Sequence, residues 1–395
     1  MSESQGAALT RVLLISCGAW YLRQTGRAFH SRSALAGLWI SDKNSTEIPA
    51  PLYRRCWPFH LCMKPFYHFA PQIITERAFY SFFPLWKAWL ALQNAPHCNV
   101  VQAISGYGTE PFDHADKIGA LKVIDCPNSH PTTLHKIWQR ECDLWCSGEK
   151  VPIPEWMFAR MNRELERADL VLCPSFFVRD TMLLNGIPER KCFVNPFGVD
   201  LSIFKPQAAA PDKIRFVCVG TICLRKGHQY LFRAWEIVKR ELPEAELICV
   251  GDYKSDFRKE RPKWEHTFRQ IPSLRHQELA SLLARSTAFV FPSQEEGFAR
   301  VQIEAMACAL PIIGTHEAGT TTMVEHGVEG LIVRGRDPEH IAAAMIRLGR
   351  DCDLNQRMRQ AAYNKVATHS SWQQYGDRLL EHYFEVLQER RATTV

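Results

Sequence analysis

The segment from Ala288 to Gly314 constrains the fold more than any other. Ala288-Phe-Val-Phe291 is an apolar run of strand length, stopped by Pro292. Ser293 to Gly297 is turn material, residues 298–309 have the length of a short helix, and Pro311-Ile-Ile-Gly314 opens a second apolar run. Strand, loop, helix and strand in this order make one unit of a parallel sheet. Such sheets bind ligands beyond the carboxyl ends of their strands. Glu296 stands there on the loop, and Glu304 lies within the helix. Gly297 allows close backbone approach, and the unpartnered N–H groups at the helix start can receive an anion.

The same alternation runs along most of the 395 residues. Apolar runs at 11–16, 99–104, Leu121–Asp125, 168–173 and 191–195 are interleaved with helical patterns at 131–146, Glu155–Arg167 and 176–184. The series restarts at 214–220, with a helix at 228–240, strands at 246–251 and 268–271, and a helix at His276–Ala284. This spacing predicts parallel sheets with helices on both faces, and the length suits two domains. Residues 1–206 read as the first domain, 207–211 as a linker with three alanines, and 212–370 as the second. Residues 41–98 interrupt the pattern; they are rich in Pro, aromatics, His and Arg, with helical patterning at 75–92 alone. Gly18 follows the first strand, and Gly26 is placed in a loop.

The pattern Pro292-Ser-x-x-Glu296-Gly-Phe298-x5-Glu304-Ala-x-Ala307 resembles the signature of a large family of retaining, nucleotide-sugar-dependent glycosyltransferases (family GT4, glycosyl transferases group 1). Ala168-Asp169, strand, Pro174-Ser175, helix, Gly186-Ile187, strand, Gly198-Val-Asp200 is similar to the end of that family's amino-terminal domain. The resemblance implies the GT-B fold, two Rossmann-like, doubly wound α/β domains whose parallel sheets face a central cleft. It also implies a closing helix at 371–391 that crosses back to brace the first domain. The nucleotide sugar would be substrate, with no bound metal and no further cofactor. The acceptor would be a glycan or a lipid-linked glycan.

The resemblance assigns residues as well. Glu304 would hold the ribose hydroxyls, and Glu296 would face the donor sugar. Gly18, Gly297, Phe298 and Ala299 join the donor-binding set, with Ala299 and Ala309 standing where the family usually has glycine. His130, before a helix starting at Pro131, matches a histidine that faces donor and acceptor, with His114 and His135 as competitors. Arg225-Lys226-Gly227 lies between a strand and a helix, where two cations oppose the helix dipole unless an anion is present. They suit a diphosphate leaving group. Thr221 replaces the arginine usual after the strand glycine, and Arg225 is the candidate to supply the missing charge. Thr322 likewise stands in place of a glutamate.

Charge adds a second expectation. Residues 1–109 hold ten Lys/Arg and four Asp/Glu, so all of the +6 net charge lies there. Arg54, Arg55 and Lys64 are interleaved with Tyr53, Trp57, Phe59, Phe66 and Tyr67. Basic and aromatic side chains together suit a membrane surface or a diphosphate-linked lipid. No nucleic-acid module is recognised. The fourteen cysteines are irregularly spaced, with no Cys-x-x-Cys pair, which suits reduced thiols in the cytosol. Leu14-Ile-Ser-Cys17 reads as core strand and not as a lipoprotein box, and Asn44-Ser-Thr46 is a glycosylation sequon by spelling alone. The apolar stretch 79–92 is too short to span a bilayer. A cytoplasmic protein, free or peripheral at the membrane, follows. Asp351-Cys-Asp353 reads as a helix start capped by Asp353 and not as a metal site.

Rivals in the same fold are a nucleotide-sugar epimerase, a phosphorylase, and a non-catalytic subunit that binds lipid or a partner protein. A glycosidase needs an acid and a base or nucleophile across one bond. The resemblance gives both carboxylates to donor binding.

Overall fold

A computed structural model describes residues 10–18, 21–42, 48–69, 72–145, 151–207, 213–257 and 259–394. The first sheet has seven strands: β1 Val12–Ile15, β2 Leu35–Ile40, β3 Tyr53–Arg55, β4 Val100–Ile104, β5 Leu121–Asp125, β6 Leu170–Cys173 and β7 Cys192–Val194. Their order is β3-β2-β1-β4-β5-β6-β7. The second has six: β8 Arg215–Val219, β9 Glu246–Val250, β10 Arg269–Ile271, β11 Ala288–Phe291, β12 Ile312–Gly314 and β13 Gly330–Ile332. Their order is β10-β9-β8-β11-β12-β13. Every pairing is parallel. Strands covered on both faces need continuous apolar runs, and β1 and β11 are buried along their whole length. Strand order reverses at β1/β4 and at β8/β11, which puts a ligand crevice beyond those carboxyl ends.

Several local expectations are corrected. Gly26 lies inside the helix Leu22–Ser31 and not in a loop. A Cβ there would come 3.0 Å from the Ile48 side chain and 3.4 Å from that of Leu38, so the glycine lets the helix sit close on the sheet. Residues 41–98 contain the edge strand β3 and two helices, Trp57–Phe69 and Gln72–Ala91, where one was expected. Pro65 lies within the first of them and hid its pattern. The helix after β11 is Arg300–Ala307, so Phe298 and Ala299 belong to the loop. Asp351, not Asp353, caps the helix Cys352–His369, accepting the Leu354 N–H at 2.8 Å. Apart from Gln207, the linker expected at 207–211 falls outside the described residues, as does the sequon at 44–46.

The chain crosses between domains twice, and the two crossings run side by side. Val199 pairs in parallel with Ser371, and its N–H donates to the Ser370 carbonyl at 2.7 Å. The final helix, Trp372–Thr394, then lies on the first domain. Asp377 meets Arg32 at 2.7 Å, and the Tyr383 hydroxyl donates to Gln102 Oε1 at 2.9 Å. Gln102 Nε2 in turn donates to Asp125 Oδ2 at 2.8 Å, and the Tyr21 hydroxyl donates to Oδ1 at 2.5 Å. Burial pushes the Asp125 carboxyl up to about 6, against these two hydrogen bonds.

Candidate active site

The loop after β8 and the loop after β11 meet at one carboxylate. Lys226 Nζ lies 3.3 Å from Glu296 Oε2 and 5.3 Å from the centre of the Phe291 ring. It passes over Gly220, just after β8, where a Cβ would come 2.7 Å from Nζ and where φ is +131°, a conformation that L side chains rarely adopt. Burial opposes the Glu296 charge, but Lys226 and Arg225 outweigh it and hold its pKa below the ordinary value.

Arg225 is placed differently from the expectation. Its Nη1 donates to the Glu295 carbonyl at 2.6 Å and to Glu295 Oε2 at 2.7 Å, with Glu296 Oε2 at 3.4 Å. The guanidinium lies 5.4 Å from the centre of the Trp138 ring. Burial disfavours its charge, yet Glu296 and Glu295 raise its pKa further. With one nitrogen holding three acceptors and the plane over an indole, Arg225 serves packing between the domains.

Glu295, which sequence reasoning passed over, is fully buried. Its Oε1 accepts the Ser129 backbone N–H at 2.9 Å, and Oε2 lies 3.4 Å from Asn128 Nδ2. Both partners belong to the loop after β5 in the first domain. Gly297 touches the same loop: a Cβ there would come 1.8 Å from the Pro127 carbonyl oxygen. The doublet Glu295-Glu296 thus divides its work, one carboxylate toward each domain. The sequence signal was the doublet itself, a second acid beside a motif glutamate.

His130 closes this loop and is 6% exposed. Its N–H donates to Thr181 Oγ1 at 3.0 Å, and its Nδ1 accepts the Thr132 N–H at 3.2 Å. An Nδ1 that accepts leaves the proton on Nε2. Burial pulls the imidazole down to about 4, so the ring is neutral near pH 7. His114 sits on the helix Thr109–Ile118 and His135 packs edge-on against Phe158, so neither replaces it in this loop.

Not every expected residue is gathered here. Glu304 lines a cleft of about 880 Å³ together with Arg23, Arg27, Asp200, His276 and Arg300. Burial raises its pKa, against Arg300 and His276. A second cavity, about 580 Å³, is lined by Gly220, Thr221, Gly251, Asp252, Tyr253 and Ser273 at the ends of β8, β9 and β10. The helix His276–Ala284 contributes His276 to the first cavity and Leu279 to the second. Gly18 is not among the residues lining either; its N–H bonds the Ser16 hydroxyl at 3.2 Å. Phe298 is buried edge-on against Phe197, 5.6 Å between ring centres, and so forms wall between the domains. Ala299 and Ala309 adopt φ of +44° and +55°, the left-handed region that glycine enters freely. Thr322 Oγ1 accepts the Phe176 N–H at 3.0 Å, a further link across the cleft.

Residues 213–351 match a family described as "Glycosyl transferases group 1". Over these residues the second domain is similar to the group 1 glycosyltransferases. The chain is 31% identical over 234 residues to D-inositol 3-phosphate glycosyltransferase of Thermobispora bispora, which covers 53% of this chain and 54% of that protein. It is 28% identical over 205 residues to a GDP-mannose-dependent phosphatidylinositol monomannoside mannosyltransferase of Corynebacterium glutamicum, 47% of this chain and 54% of that one. The chain thus spans about half the length of these curated relatives. The whole fold is nevertheless that of GT-B glycosyltransferases. Sucrose-phosphate synthase from Thermosynechococcus elongatus superposes with a TM-score of 0.69 over 97% of both chains at 18% identity. Anabaena Alr3699/HepE with UDP and glucose gives 0.67 over 94% of this chain and 99% of its own, at 14% identity. In this domain Glu296 and Glu304 occupy the loop and helix that the signature spans, and Lys226 supplies the cation beside Glu296.

Proposed function

We propose that this chain moves a sugar from a nucleotide-sugar donor to a glycan or lipid-linked acceptor with retention of anomeric configuration. The observation that carries the reading is the Lys226–Glu296 pair at the carboxyl ends of β8 and β11, held beside Gly297 and the His130 loop. A diphosphate placed beside Lys226 would share its ammonium with Glu296, and charge growing on the leaving group would draw the lysine toward it. His130 then serves as a hydrogen-bond donor through Nε2–H to a sugar or acceptor hydroxyl, because its Nδ1 is already occupied. Acceptor attack on the face that the diphosphate leaves needs no covalent nucleophile. The protein contributes position and charge.

The acceptor side of the reading rests on the first domain. Trp57 and Leu61 are 59% and 56% exposed, and with exposed Lys64 they share one face of the helix Trp57–Phe69. Leu85 and Lys87 are exposed on the following helix. This face, which shares Trp57 and Lys64 with the set read from sequence, suits an anionic membrane surface. Phe59 is buried, Arg55 donates to the Ser41 carbonyl, and Arg54 is held by Gln93 and the Trp39 ring. Among the described residues no helix is long and apolar enough to cross a membrane.

A panel of nucleotide sugars, read first by thermal stabilisation and then by transfer to sugar and lipid acceptors, tests the proposal. A ligand at about 100 times its dissociation constant adds about 2.7 kcal/mol. A panel in which neither any nucleotide sugar nor any nucleoside diphosphate stabilises the protein would refute it.

A further inference from the structure

The helix Pro131–Trp145 carries Trp138, Glu141 and Trp145 on one face, at spacings of three and four. That face docks on the second domain. Glu141 is fully buried there, although it belongs to the first domain. Its Oε2 accepts from Gln229 Nε2 and from the Tyr230 hydroxyl, each at 2.9 Å, and its Oε1 accepts from Arg336 Nε at 2.6 Å. Arg336 holds a φ of +58° in the loop after β13, a conformation that residues other than glycine rarely adopt. On either side stand the two indoles. Trp138 donates to Asp256 at 3.2 Å, with Arg225 and Lys254 at 5.4 and 5.6 Å from its ring centre; Trp145 donates to the Tyr230 hydroxyl at 3.3 Å under Arg233.

At the other end of the same unit the arrangement is mirrored. There Glu295, from the second domain, is buried against Asn128 and Ser129 of the first. Each domain therefore inserts one carboxylate into the other. Both carboxylates grip one continuous segment, 128–145. His130 lies between the two grips, eleven residues before Glu141, or roughly 16 Å along a helix axis.

We propose that Glu141 is a positioning residue for the reaction put forward above. It acts through the Pro131–Trp145 helix, and with Glu295 it sets His130 against the Glu296 loop. A carboxylate carried by one domain, and buried and satisfied by the other, is stable only while the domains are docked. A separated arrangement must hydrate Glu141 and leave Arg336 Nε and the Tyr230 hydroxyl without this acceptor, while Gln229 keeps only the Leu224 carbonyl. The latch thus couples domain docking to the placement of one imidazole.

This inference rests on the transferase reading for its kinetic arm but not for its structural one. Glu141→Gln, Arg336→Met and the double variant are compared with wild type by small-angle scattering of the full chain, by melting, and by kinetics with the donor identified from the panel. The latch predicts a larger radius of gyration for each single variant, and a double variant no more expanded than the worse single. It also predicts a kcat lowered roughly tenfold or more, with donor affinity by calorimetry changed by less than about threefold, as misplacement of a reacting group would give. Unchanged scattering and kcat in Glu141→Gln would overturn it. So would additive single effects confined to the melting temperature, because those belong to a residue that merely packs. Should no sugar transfer be found for wild type, the reading of function fails, and scattering alone still decides the latch.

Discussion

Lys226 and Arg225 are neighbours in the chain, yet they point into different business: Lys226 Nζ sits 3.3 Å from Glu296, while Arg225 Nη1 sits 2.7 Å from Glu295. Removing each should therefore fail differently. Lys226→Ala is expected to weaken nucleoside diphosphate binding by about 1.5–3 kcal/mol, the loss of one charged hydrogen bond, with little change in melting. Arg225→Ala leaves a buried carboxylate short of its cation and should cost about 3–5 kcal/mol of stability. Calorimetry on the first and denaturant unfolding on the second check the contrast; a reversed pattern would exchange their roles.

Glu304 faces the larger cleft with Arg300 and His276 nearby. If its carboxylate receives the ribose hydroxyls, Glu304→Gln should lose about 1.5–3 kcal/mol of donor affinity while the melting temperature holds. The titration is run with nucleotide and with free sugar phosphate. Equal weakening of both would take the ribose out of the explanation.

The His130 pKa, depressed by burial to about 4, has a definite sign in stability. The unfolded imidazole titrates near 6.5, so between these values the unfolded chain binds more protons than the folded one. The contribution of neutral His130 is complete above about pH 6.5 and is lost as pH falls toward 4. Wild type should thus lose stability over this window more steeply than His130→Gln. Parallel unfolding curves at pH 7 and pH 5 for the two proteins would show that the ring titrates normally.

Ala309 ends the helix Arg300–Ala307 in a left-handed turn. Its N–H reaches the Met306 carbonyl at 2.9 Å, and the Leu310 N–H reaches that of Ala305 at 3.0 Å. This is the hydrogen-bond pattern that glycine usually completes. Ala309→Gly should stabilise the domain by about 1 kcal/mol, since the left-handed conformation costs an L-residue roughly 1–2 kcal/mol and glycine returns part of this as entropy. A urea midpoint that moves down instead would show the methyl group to be packed well enough to matter more.

Trp57→Ser, Leu61→Ser and Lys64→Ser together should release the protein from anionic liposomes without lowering its melting temperature, because all three side chains are exposed. Flotation at moderate salt checks it, each basic residue near such a surface contributing about 1 kcal/mol. Arg55→Gln serves as the control and should float like wild type.

What could be seen in the sequence was what lies close together along it. β11, the loop bearing Glu296 and the helix bearing Glu304 fall within one contiguous stretch, whose apolar runs and turn residues speak for themselves. The Glu295–Ser129 contact spans 166 positions and Glu141–Arg336 spans 195, so no periodicity announces them. Glu141 did carry a local sign, a lone acid between two tryptophans on one helical face, which is costly unless something distant satisfies it. The contact of Arg225 with Glu295 spans 70 positions and is hidden for the same reason. The helix Trp57–Phe69 was hidden by Pro58 and Pro65, although a proline near a helix start is harmless.

The final helix has a consequence for the order in which the molecule can be made. Tyr383 supplies the hydroxyl that Gln102 accepts, and Gln102 and Tyr21 together hold Asp125, all of them buried. The first sheet leaves the ribosome early, but one of its buried polar groups waits for a partner 281 positions downstream. Domains of nascent chains generally complete themselves in the order of synthesis. Here the half that is translated first is the half that is finished last, and the carboxyl end of the chain is as much a part of its core as β1.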